Sequence, residues 1–285
     1  MQATIDAHRS RSVPQEIVTR GGTRGSFRSA ARDVGAGITA WRLWGKMGWN
    51  DIRQRYRRSL LGPLWLTASM AIMVVSLGVL YAELFRTPID DFLPFLCVGL
   101  LVWNFLASFL TEGGTIFTTS ESYIKQIRLP YSIYVYRSAW SKLIILAHNF
   151  IVYFGVLVYF QIWPGRVGLL ALPALILIVL NGALSTLYIG IFSARFRDIP
   201  QLINSIVQII FFITPIMWKP DLLLHRTYIA EFNPFYHLVE IFRAPLLGQV
   251  PSLTNYIVVL MVSAANLALA GIVFTRFRPR IAYWI

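Results

Sequence analysis

The chain of 285 residues is 56 % hydrophobic and only 14 % charged, with 26 Lys and Arg against 13 Asp and Glu. Soluble domains average about 45–50 % apolar and about 25 % charged, whereas these apolar residues gather into charge-free runs long enough to cross a bilayer, which takes roughly 20 residues each. That excludes an ordinary soluble enzyme and a disordered protein, and the net charge of +13 speaks through its location rather than its total, so no nucleic-acid partner is expected.

Residues 1–37, with Gly21, Gly22, Arg24, Gly25 and Arg28, read as a flexible basic tail. Such a tail can meet anionic headgroups; a solvated tail with no specific role is the simpler reading. No apolar segment precedes it, which sets a secretory signal peptide aside. Residues 38–58 differ. Trp41, Trp44, Gly48 and Ile52 recur at spacings of three and four, with Arg42, Lys46, Arg53 and Arg57 on a neighbouring stripe. That pattern predicts an amphipathic helix lying in the membrane plane, its tryptophans at headgroup depth; Asp51 and Arg55 sit awkwardly on the wheel. Ser59, Gly62 and Pro63 then turn the chain into residues 59–285, a transmembrane domain.

The apolar runs are 59–82, 92–111, 143–164, 167–194, 199–218 and 251–275, which predicts an all-α integral membrane protein with six transmembrane helices; a barrel would show short alternating segments. Of the 26 Lys and Arg, 21 fall on the side that holds both termini and 5 on the other, while the acidic residues split 7 to 6. Both termini are therefore expected in the cytoplasm. The single cysteine, Cys97, lies inside an apolar run and forms no internal disulfide.

None of the six runs carries Asp, Glu, Lys or Arg, and His148 alone is a poor proton relay. A P-loop needs Lys followed by Ser or Thr, whereas the four lysines precede Met47, Gln126, Leu143 and Pro220. The G-x-G-x-x-A pattern at 35–40 follows no strand, and His237 with Glu240 supplies too few ligands for a metal. No catalytic residue, metal or cofactor is expected in this chain.

Two polar segments on the basic side need a positive explanation. The stretch 121–130 mixes both charge signs with Tyr123, Ile124, Ile127 and Leu129 before Pro130, which suits insertion into a groove of a soluble partner; a plain loop on the headgroups is the alternative. In 195–200, Asp198 is placed to cap the next helix and Pro200 sits in its first turn. Within the fifth run, Gln201, Asn204 and Gln208 follow at three and four, and Phe211, Phe212 and Pro215 continue the stripe toward Trp218. Amides that give way to aromatics suit a hydroxyl-rich solute, against the default that Asn and Gln only bond one helix to another. Asn233-Pro234 reads as a cap and first-turn proline for a helix of about a dozen residues over 235–248, too short to span and typical of a re-entrant segment.

The stretch 51–65, from Asp51 through Tyr56 to Trp65, resembles the N-terminal signature of the membrane subunit of bacterial polysaccharide ABC exporters, the permeases for O-antigen, capsule and teichoic acid. Residues 124–130 look like that family's first cytoplasmic loop and 196–199 like the second. Asn233-Pro234 with Arg243 resembles its outer re-entrant region, and 281–284 its C-terminal end. The matches cover about residues 38–285 in order. The resemblance implies a permease in the bacterial plasma membrane, two copies of it (a homodimer, or paired paralogues) with two copies of a separate ATP-binding cassette subunit that holds ATP and Mg. It implies a coupling helix around Ser122, Tyr123, Ile124, Lys125, Ile127 and Arg128, assisted by Arg197 and Asp198. The helix of Trp41, Arg42, Lys46, Arg53 and Arg57 would meet a polyprenyl-pyrophosphate-linked glycan on the lipid side, and the first and fifth spans would line a conduit with Trp65, Gln201, Asn204, Gln208, Phe211, Phe212, Pro215 and Trp218. Rival readings are a permease for drugs or simple lipids and an integral-membrane glycosyl- or acyltransferase, for which Glu83, Asp90 and Asp91 form the only dense acidic group.

Overall fold

The computed structural model describes residues 26–57, 62, 64–220 and 228–285, and the regular structure among them is helical throughout. Helices α1 (Phe27–Thr39) and α2 (Trp41–Arg55) come first, followed by α3 (Leu64–Phe85), α4 (Ile89–Gly113), the short α5 (Glu121–Gln126) and α6 (Ser132–Phe160). A 3-10 turn at Gly165–Leu170 leads into α7 (Ala171–Arg195); then come α8 (Ile199–Ile213), α9 (Tyr228–Glu231), α10 (Pro234–Leu246), α11 (Leu253–Phe277), a 3-10 turn at Arg278–Arg280 and α12 (Ile281–Trp284).

Among the described residues, α3, α4, α6, α7 and α11 are long and apolar enough to cross a membrane. The 199–218 run departs from the expected fifth span. Its helix ends at Ile213, and 15 residues reach only about 22 Å at 1.5 Å per residue, short of a hydrocarbon core of about 30 Å. Pro215 is the cause: a residue before proline avoids helical ψ, and Thr214 is extended at φ −81°, ψ 134°. Apolarity continues through Ile216 and Trp218, so a hydropathy count passes over the break.

The N-terminal region departs too. Helix α1 begins at Phe27, inside the stretch read as a tail; residues 1–25 of that tail, and the turn residues Ser59 and Pro63, lie outside the described residues. Helix α6 starts eleven residues before the apolar run, and Arg137 and Lys142 in that extension have acidic partners. Arg137 grips Asp51 of α2 bidentately, Nε to Oδ2 at 2.5 Å and Nη2 to Oδ1 at 2.6 Å. Lys142 pairs with Glu112 at the end of α4.

Helix α4 is the buried post of the fold, packed against α3, α6, α7, α8 and α10. Its seam with α7 is built from small residues one turn apart. A Cβ on Gly182 would come 2.5 Å from the Phe109 ring and one on Gly190 2.6 Å from Ile116, in the turn that follows α4. Between them Thr186 Oγ1 donates to Phe109 O at 2.8 Å. Small residues let two membrane helices approach closely where lipid offers no hydrophobic drive to associate.

Helices α1 and α2 lie on α6 by the same device. Gly37 faces Ser132 and Tyr136, and Gly48 faces the backbone of Arg137 and the Ser141 hydroxyl. The Trp44–Gly48–Ile52 face of α2 is thus turned to protein, with Trp44 packed beside Tyr136 and Trp140, whereas Trp41 and Trp49 stay more than half exposed. Asp51 is awkward on a lipid wheel because it faces α6. Asp33 of α1, buried, accepts hydrogen bonds from the N–H groups of Tyr131 (3.2 Å) and Ser132 (3.0 Å) and pairs with Arg278 Nε at 2.7 Å. Its carboxylate caps α6 from another helix, where the helix dipole favours a negative charge.

Candidate transport surfaces

At the end of the molecule that carries Asp33 and Arg278, α5 stands out from the bundle. Ser122, Lys125 and Arg128 are exposed, and Tyr123 and Ile127 are half-exposed. Ile124 instead leans onto the cluster of Ile116, Phe117 and Ile281, so it anchors α5 rather than presenting itself. Lys125 Nζ lies 2.6 Å from Glu121 and holds that carboxyl below the usual carboxylate range, with Arg197 adding to the effect. Arg197 and Asp198 are exposed on the turn before α8. The expected cap at Asp198 is corrected: it occupies the N-cap position, but its side chain makes no cap hydrogen bond. Its backbone is helical (φ −84°, ψ −17°), whereas a capping side chain is aimed by extended geometry.

Helix α8 buries only Val207. Gln201, Asn204, Ser205 and Gln208 share an exposed face that ends in Phe212. The expected stripe divides beyond that. Phe211 turns inward, its ring 5.7 Å from Trp103 of α4, and Pro215 is buried. Trp65 is about half-exposed at the start of α3. Helices α3 and α8 both pack on α4 and present long uncovered faces. On α2, Arg42 lies 5.4 Å over the Trp41 ring, and Lys46, Arg53 and Arg57 are exposed.

The broken end of α8 is held by side-chain donors, a group the sequence reading missed. Thr214 Oγ1 donates to Ile210 O at 2.7 Å, Trp218 Nε1 to Phe212 O at 3.2 Å, and Arg243 Nη1 to Pro215 O at 2.7 Å. Of these carbonyls, Phe212 O is one that a helix terminus leaves without a partner; Ile210 O also accepts from Thr214 N at 2.8 Å, and Pro215 O lies beyond the helix end. Arg243 is fully buried, bound to Glu240 Oε2 through Nε (3.0 Å) and Nη2 (2.5 Å), its guanidinium 4.0 Å over the Phe95 ring. Asn233 caps α10 as expected, accepting from Phe235 N at 2.9 Å, and its amide donates to Thr214 Oγ1 at 2.8 Å. One loop residue therefore starts α10 and fastens α8. The available signal was Glu240 and Arg243 one turn apart in a mostly apolar helix. His237 spends both ring nitrogens on Asn255 Oδ1 and Glu231 O, each at 2.7 Å.

These observations define a helical membrane protein whose least-covered helices flank a buried post and whose basic end carries a protruding short helix. A family model described as ABC-2 type transporter matches residues 42–247, and the chain belongs to that family. It is similar to the O-antigen export system permease protein RfbA of Klebsiella pneumoniae, 23 % identical over 81 % of this chain and 90 % of that protein. It is also similar to the protein of the same description from Myxococcus xanthus, 24 % identical over 68 % of this chain and 76 % of that one. An ABC-2 permease is a transport subunit that works with an ATP-binding partner.

Proposed function

We propose that this chain is the membrane subunit of an ATP-driven exporter that carries a lipid-linked polysaccharide outward across a bacterial plasma membrane, two copies acting with two copies of the ATP-binding partner. The observation that carries the reading is the uncovered face of α8: amides and a hydroxyl over about two turns, then an exposed phenyl ring a turn further on, with no charge among them. Such a surface exchanges hydrogen bonds with sugar hydroxyls and stacks on sugar faces, and many weak contacts let a chain slide where one tight site would stall it. The basic end is read as cytoplasmic from the Lys and Arg count. There the exposed Tyr123 of α5 and Ile127 just after it, with Arg197 and Asp198, form the seat for the ATP-binding subunit, and the arginines of α2 meet the pyrophosphate of the incoming glycan lipid. Helix α8, fastened at one end by Arg243 and open along one side, is the short fifth span, and α10 is the re-entrant element that closes the outer mouth.

Movement of the seated partner passes through Ile124 into the Ile116–Phe117 cluster, which joins α5 to α6, α7 and α11. The test is purification of the tagged chain from its host in mild detergent. A P-loop ATPase in equal amount, lost on Tyr123→Ala with Ile127→Asp while the permease still folds, is the expected result. A chain that arrives alone after gentle cross-linking overturns the reading. For cargo, Gln208→Leu and Phe212→Ala should slow surface display of glycan while assembly with the ATPase survives; unchanged display in both variants removes α8 from the path.

A further inference from the structure

Where α7 and α11 end at the basic side, they leave an open cleft of about 600 Å³ that is lined by two arginines, Arg195 and Arg280, and by no acidic residue. Neither arginine makes an ion pair among the described residues, in contrast to Arg278 beside them, which Asp33 occupies. Arg195 is held by rings, 5.6 Å over Trp284 and 5.9 Å over Phe196, and Phe192 and Phe277 form an apolar wall. The carbonyls at the end of α7 favour a cation there and account for Arg195 alone; they do not account for a second arginine converging on the same space. Leu269 and Ile272, on α11 a turn or two deeper, are exposed apolar residues.

We infer that this cleft binds the phosphate of an anionic phospholipid from the leaflet that the basic end meets. Two planar guanidinium groups match phosphate oxygens bidentately, rings at the end of an apolar helix sit at headgroup depth, and a basic pocket between membrane helices is the usual cradle for such a headgroup. The acyl chains continue along α11 past Ile272. The site stands apart from the amide face of α8 and from the arginines of α2, whereas its Arg195 and Phe196 adjoin Arg197 and Asp198 of the proposed ATPase seat; the lipid titration needs neither glycan nor ATPase.

The full chain in neutral detergent is titrated with short-chain phosphatidylglycerol and with the matching phosphatidylcholine, following tryptophan fluorescence, to which Trp284 contributes. The expected result is about ten-fold tighter response to phosphatidylglycerol. Arg195→Gln with Arg280→Gln abolishes that preference, whereas Arg28→Gln with Arg32→Gln, which removes equal charge from exposed positions of α1, keeps it. Arg280→Gln alone, checked for an unchanged melting temperature without lipid, reduces it. The inference is overturned if no preference is seen, or if both double variants lose it equally. It also fails if glycerol phosphate acts at the same concentration as the lipid, which would make the cleft a soluble-anion site. A preference that survives in the Arg195/Arg280 variant while the ATP-binding subunit no longer assembles would assign the cleft to a protein partner instead.

Discussion

Arg243 puts a full positive charge inside a helix that otherwise reads Ile241, Phe242, Ala244, Pro245 and Leu246, and three groups share it: the Glu240 carboxylate, the Pro215 carbonyl and the Phe95 ring. Removing one member of a buried ion pair leaves the other desolvated and alone, a loss of about 3–5 kcal/mol in such cases. Arg243→Met should accordingly lower the melting temperature in detergent by far more than an exposed Arg→Met change such as at Arg32. Glu240→Leu combined with Arg243→Met should recover part of the loss. Equal melting temperatures for wild type and Arg243→Met would show that the pair holds nothing. The charges at Glu240 and Arg243 were visible in the sequence; that both fold inward onto the break in α8 was not, because Pro215 lies 28 residues away. Asp51 shows the same limit. Its misfit on the amphipathic wheel was readable, and its partner Arg137 was not.

Between elements, the contacts are made by residues with little side chain. Gly45 and Gly48 are one turn apart on α2, and a Cβ at Gly45 meets nothing within 4 Å whereas one at Gly48 meets Arg137 O and the Ser141 hydroxyl at 2.9 Å. Gly45→Ala should therefore stabilise the protein by up to about 1 kcal/mol through helix propensity alone. Gly48→Ala should cost about 1–3 kcal/mol, as overpacking does, and free α2 to faster proteolysis. Similar behaviour of the two variants in a melting experiment would argue against α2 resting on α6. At α7, Gly182→Ala drives a methyl into the Phe109 ring and should resemble Gly48→Ala. Helical periodicity made α2 legible as an amphipathic helix, but periodicity identifies a face without saying whether lipid or protein covers it. Helix α8 was legible at its start, and its end was marked by Pro215, a signal that an unbroken apolar run overrode.

For the molecule as a whole, hydropathy located the five long helices, since it depends on composition over many residues. Which helices stay uncovered depends on long-range packing around α4 and was not legible. The uncovered α8 face makes a prediction at this scale. The native Cys97 is fully buried, so single cysteines can be introduced against a quiet background. Ser205→Cys, on the amide face, should react with a water-soluble maleimide in intact membranes, and Ile176→Cys, an exposed apolar position of α7, should not. No labelling at Ser205→Cys, as at Ile176→Cys, would place the α8 face in lipid and withdraw it from any aqueous path.

The clasp at Asp33 bears on how the chain is assembled during synthesis. This carboxylate caps a helix that begins 99 residues later and pairs with an arginine 245 residues later. A ribosome adding about 5–20 residues per second leaves Asp33 waiting on the order of ten seconds or more for Arg278 to emerge. In that interval α1 holds only the start of α6, and the last helix to be inserted closes the clasp over the first. Arg278→Ala should leave the long helices inserted yet expose α1 to protease, as though translation had stopped short of its final joint.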